Sequence, residues 1–186
     1  MIPTLPLAPR NRLAELIIEA VHDAAARAEL STLATSLTSA ATWITSDDPR
    51  HAHLAHRRAR AAAHALEREP LWPRDLGLGD VLRAAAVLFD AGLHFEVHDL
   101  LEPHWGTADG PARQALQGLI QVAVGYQHHA NGNLRGAVAL LGEGSERLET
   151  GALPGLDLVA FAAAVRASLA NSTFAAPHFP RPARAA

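Results

Sequence analysis

The residues best suited to chemistry in this 186-residue chain lie between Phe89 and Trp105. There Glu96, His98, Asp99, Glu102 and Trp105 crowd into about three turns of a helix. A second dense block runs from Gln117 to Asn133, where Gln117, Gln121 and His128 interrupt an otherwise apolar helical pattern. On a helix, Phe95, His98, Glu102 and Trp105 fall at i, i+3, i+7 and i+10 and share a face, with Val97, Leu100, Leu101 and His104 on the adjoining one. A carboxylate placed among such neighbours needs a hydrogen-bond donor, a cation or a proton, because burying it unpaired is costly. The stripe Gln114, Gln117, Gln121 and His128 can supply partners from an opposing helix. Two readings follow. His98, Glu102 and His128, with Glu96 or Asp99 beside them, could hold a divalent metal ion as a two-His, carboxylate site. The same groups could instead form a buried hydrogen-bond network that fixes how two helical hairpins dock.

Composition narrows the chemistry further. Cysteine is absent, which removes disulfides, thiol nucleophiles and Cys-ligated metal, and leaves His and carboxylates as the candidate ligands. All 16 basic residues are Arg, and the net charge is −3. Neither half of the chain has the basic excess of a nucleic-acid binder. The segment Pro49 to Glu69 carries Arg57, Arg60, His64 and Arg68 along one side, but acids flank it and no aromatic residues interleave. A solvated face is the simpler reading. The N-terminus lacks the layout of a signal peptide and no apolar run approaches a membrane span, so a cytoplasmic protein is expected.

Sharper motifs fail on inspection. His94-Phe95-Glu96 fits the first half of a zinc-deaminase signature whose second half needs cysteines. His94 and His98 have zincin spacing with Glu96 in the wrong place, and Glu19 to His22 is a lone Glu-x-x-His where a di-iron bundle needs two.

The elements that must position these residues are helices throughout. With 49% apolar but 5% aromatic residues, the core must be built from Ala, Leu and Val, which suits closely packed helices. Periodicity predicts helices from Pro9 to Leu30, across the Ser/Thr-rich stretch Ser31 to Ser46, and from Pro49, capped by Asp48, to Glu69. Pro70 to Gly79 reads as a linker. Beyond it come Val81 to Asp90 with Asp80 as cap, Leu93 to His104, Pro111 to Asn131, Leu134 to Glu149 with Asn133 as cap, and Asp157 to Leu169. The expected organisation is an N-terminal helical extension over 1–75 with about three helices, a helical domain over 80–170, and an irregular, unpacked tail over 171–186. Gly92, Val97, Leu100 and Leu101 recur forty residues later as Gly132, Ala137, Leu140 and Leu141, so a turn and an amphipathic helix appear twice. That echo resembles the paired hairpins of tetratricopeptide-type interaction proteins.

Phe95-Glu96-Val97-His98-Asp99-Leu100-Leu101-Glu102 with Trp105, then Gln117-Gly118-Leu119-Ile120-Gln121, His128, Gly132-Asn133-Leu134-Arg135-Gly136-Ala137 and Gly155-Leu156-Asp157, resembles the DUF309 family over about residues 82–170. Asp99 stands where that family usually has Glu, and His94 replaces an aromatic residue. The resemblance implies a small, all-helical protein of bacterial or plastid type from a family with no established biochemical activity. The expectation is therefore an all-α bundle of packed helical hairpins. Its seam of Glu96, His98, Asp99, Glu102, Trp105, Gln117, Gln121, His128 and Asn133 serves a non-enzymatic module that binds a ligand or associates with itself as a homodimer. The alternative is a metal-dependent hydrolase in which His98, Glu102 and His128 hold the ion and Glu96 or Asp99 acts as base.

Overall fold

The computed structural model describes residues 4–182, and among them every regular element is an α-helix. In order these are α1 (Leu7–His22), α2 (Ala24–Thr35), α3 (Leu37–Ile44), α4 (Pro49–Leu66), α5 (Leu78–Asp90), α6 (His94–Thr107), α7 (Gly110–Ala130), α8 (Leu134–Thr150) and α9 (Leu158–Ala170). The all-α expectation holds. No helix among the described residues is long and apolar enough to cross a membrane.

The extension contains four helices where periodicity predicts about three. The apolar stripe from Leu13 to Leu30 runs on, but Asp23 breaks it by adopting extended backbone and accepting a hydrogen bond from the Ala26 amide at 2.8 Å. Ser36 does the same for α3 through the Ser39 amide at 3.1 Å. Short polar side chains that cap a new helix outcompete a continuous one. Asp48 caps α4 as expected, accepting from the Arg50 amide at 2.9 Å with Pro49 in the first turn. Asp80 is not a cap: α5 begins at Leu78, and Asp80 sits in its first turn, 2.5 Å from Arg83.

Helix α4 turns an alanine face inward, with Ala52, Ala55, Ala59 and Ala62 buried. The linker that follows is pinned to the extension. Trp72 is buried and its amide donates to the Val21 carbonyl at 3.0 Å, while Arg27 donates to the carbonyls of Ala20, Glu69 and Pro70 at 2.7–2.8 Å.

The sequence echo is a repeated turn. Gly92 and Gly132 both take left-handed φ, 76° and 77°. After each, the next amide reaches back five residues, Leu93 to Leu88 and Asn133 to His128, both at 2.9 Å. This helix-ending motif favours glycine at the left-handed position. It makes α5–α6 and α7–α8 two hairpins of one design. Helices α7 and α8 approach most closely, and a Cβ on Gly144 would lie 2.9 Å from the Gly118 carbonyl oxygen.

Phe89 anchors the core of the second part. Its ring meets Tyr126, Phe161 and Phe179 at centroid distances of 5.8, 6.0 and 5.1 Å. Phe179 corrects the expectation for the tail, which has no helix yet packs. The Phe179 side chain is buried, its amide donates to Asp90 at 2.8 Å, and Arg181 pairs with the same carboxylate at 2.8 Å. Sequence periodicity is blind to a segment held by one buried aromatic and one carboxylate. The remainder of the predicted tail, 183–186, lies outside the described residues.

Candidate functional site

Helix α6 carries the motif, and its side chains lead in different directions. Glu96 is fully buried at 0% exposure. One Arg58 nitrogen, from α4, donates to both of its carboxylate oxygens, at 2.5 and 2.7 Å. Beside it, the Arg10 guanidinium of α1 covers the Phe95 ring at 4.3 Å from its centroid, an ordinary cation–π distance. Two motif residues therefore face the N-terminal extension rather than the neighbouring hairpin.

His94 fills the place of an aromatic residue and packs as one, 4.9 Å from the Phe89 ring and 5.6 Å from Tyr126. Neither ring nitrogen has a hydrogen-bond partner. Burial, with the nearby Arg58 charge as the lesser cause, pushes this imidazole down to about 4, so it stays neutral at physiological pH.

On the next face, His98 Nδ1 lies 2.7 Å from Asp99 Oδ1. That hydrogen bond is the main reason the His98 pKa is raised; the negative charges of Asp99 and Glu102 add to it and partial burial opposes it. Exposed Glu102 completes a cluster in which one ligand atom from each of the three residues lies within 4.8 Å of the others. All three come from one helix.

The structure does not bring His128 to that cluster. His98 is nine residues before the end of α6 and His128 eighteen after the start of α7, so an antiparallel pair offsets them by about 13 Å along the axis. The His128 ring instead accepts at Nδ1 from the Asn133 amide group at 2.8 Å, and Asn133 caps α8 by accepting from the Gly136 amide at 3.0 Å. The glutamine stripe also looks elsewhere. Gln121 donates to Glu143 at 3.1 Å and Gln114 accepts from Arg147 at 2.8 Å, both across the α7–α8 contact. Gln117 is half-buried on the same helix. Trp105 is covered by Arg113, whose guanidinium sits 4.4 Å from the ring and donates to the Trp105 carbonyl at 2.9 Å.

Seven of the nine seam residues thus divide into three local sets, Glu96 toward α4, His98–Asp99–Glu102 on the surface of α6, and the Gln121, His128 and Asn133 contacts of the α7–α8 hairpin, while Trp105 and Gln117 join none of them. Sequence reasoning passed over Arg58 and Arg10. A signal for Arg58 was available, since it lies between Ala55, Ala59 and Ala62 of the buried alanine face, where a solvated side chain is out of place.

Comparison with known proteins agrees with the motif reading. Residues 82–140 match the family model of DUF309, a domain of unknown function, which takes in most of α5, all of α6 and α7, and the first part of α8. No curated protein and no solved structure matches the chain.

Proposed function

We propose, starting from the DUF309 domain that this chain carries, that the protein is a non-enzymatic helical binding module whose motif face grips arginine-bearing helices. In this chain the face is filled in cis, by α4 through Arg58 and by α1 through Arg10. The observation that carries the reading is the fully buried Glu96 closed on a guanidinium. A carboxylate sealed from water and closed on a guanidinium lies out of reach of a substrate, which favours grip over catalysis. A protease site inserted after Asp75, in the exposed part of the linker, tests this. After cleavage the two pieces of the otherwise wild-type chain should co-elute on size-exclusion chromatography, and those of Arg58→Ala should separate. Separation of the wild-type pieces would remove the proposal.

The cluster of His98, Asp99 and Glu102 favours a second reading, a divalent cation site on α6 held by His98 and Glu102 without His128. Asp99 would orient His98 through Nδ1, leaving Nε2 and the Glu102 carboxylate as donors, an arrangement common around bound metals. Two donors from one water-exposed helix make a weak site with open positions. Elemental analysis of untagged protein equilibrated with zinc should find metal that is lost in both His98→Ala and Glu102→Ala. Protein that retains no metal after desalting would sink this reading.

A further inference from the structure

A large cleft lies away from the motif, between α2 and α4, with a volume of about 1020 Å³. Arg57 and Arg60 line it, one helical turn apart, together with His53 and His56. Among the described residues most arginines are engaged, and six of them pair with carboxylates: Arg50, Arg58, Arg74, Arg83, Arg166 and Arg181. Among the described residues, neither Arg57 nor Arg60 makes an ion pair, although the adjacent Arg58 does. Arg27 adds a further positive charge to the lining, with its donors held by three backbone carbonyls instead of a carboxylate. Glu67 is the one acid in the lining.

From this we infer that the α2–α4 cleft binds a small phosphorylated organic ligand, with Arg57 and Arg60 as the phosphate-holding groups. Two guanidinium forks at neighbouring positions match the several acceptor oxygens and the double charge of a phosphate better than one carboxylate would. His56 is pre-oriented, because its Nδ1 donates to the Leu33 carbonyl at 2.8 Å and leaves Nε2 as the free ring nitrogen. Leu30, Ala34 and Ala61 supply an apolar wall for a carbon skeleton, and the volume is that of a small-molecule site. The lining holds no Phe, Tyr or Trp on which a base could stack, which argues against single-stranded nucleic acid as the occupant. The site belongs to the extension and is independent of the motif-face reading.

Isothermal titration calorimetry on the full chain, at fixed ionic strength, tests the inference with three probes: pyrophosphate, succinate and a short single-stranded DNA. Pyrophosphate should bind in preference to succinate, and Arg57→Ala and Arg60→Ala should each weaken it about tenfold, as expected for loss of one charge-assisted contact. Both side chains are exposed, so both variants should melt like the wild type, which distinguishes lost binding from lost folding. Arg135→Ala, at an exposed position on α8, should bind pyrophosphate unchanged. The inference is overturned if pyrophosphate does not bind, if succinate binds as well, if Arg135→Ala weakens binding equally, or if the DNA binds with an affinity that pyrophosphate cannot compete.

Discussion

Arg58→Ala is expected to destabilise the protein by about 3–5 kcal/mol, the usual consequence of stripping the partner from a buried charge. Glu96 is at 0% exposure and its two oxygens receive the same Arg58 nitrogen, so the variant would strand a carboxylate in a sealed site. Urea denaturation monitored by circular dichroism reads the effect as a lower midpoint at similar slope, and in a chain of this size the melting temperature should fall by about 6–20 °C. The decisive comparison is the paired replacement. Arg58→Met with Glu96→Leu removes both charges and keeps apolar volume, so it should recover most of the loss and leave the double variant within about 1 kcal/mol of wild type. A single variant as stable as wild type would mean that the pair is open to water. A double variant no better than the single would assign the loss to packing of the arginine stem.

The second large effect concerns two glycines of α8 that lie two residues apart. A Cβ at Gly144 would sit 2.9 Å from the Gly118 carbonyl oxygen and 3.0 Å from the Val122 amide nitrogen, and a Cβ at Gly118 would meet the Gly144 carbonyl oxygen at 2.9 Å. These obstacles are backbone and cannot rotate aside, so α7 and α8 would have to move apart. Gly144→Val should cost about 3 kcal/mol by overpacking alone, against any gain in helix propensity. At Gly142 an added Cβ meets nothing within 4 Å, and Gly142→Ala should raise stability by about 1 kcal/mol. Thermal melts of the two variants should therefore move in opposite directions. A shift of the same sign in both would show that the hairpin does not depend on contact at Gly144.

Much of this architecture is legible in the sequence because helical periodicity and capping are local signals. Asp48 before Pro49, Asn133 before α8 and the two turns at Gly92 and Gly132 all stand where residue type requires them. The break at Asp23 is also local, but a continuous apolar stripe from Leu13 to Leu30 hides it. The motif residues could be picked out, since five polar or aromatic groups on a short helix demand an explanation. Their partners could not. Glu96 meets a residue 38 positions away, and nothing in spacing decides whether a carboxylate faces Arg58, His128 or solvent. His128 looked like a ligand because of its type, yet axial offset along the hairpin takes it to Asn133. The tail was the hardest to read, as Phe179 has no periodic neighbours and acquires meaning only beside Phe89 and Phe161.

That aromatic cluster bears on what counts as a unit of this molecule. The stretch matched to the family, 82–140, stops partway along α8. Phe161 and Phe179, which close around Phe89, lie after it, and Arg58, which neutralises Glu96, lies before it. A fragment trimmed to the matched residues would lose Gly144, the far half of the close helix contact, and expose the most buried ring and the most buried acid together. The stretch matched to the family and the stretch that packs around its buried groups are thus different lengths of chain. The contacts that bury Phe89 and Glu96 come in part from sequence lying outside the matched stretch.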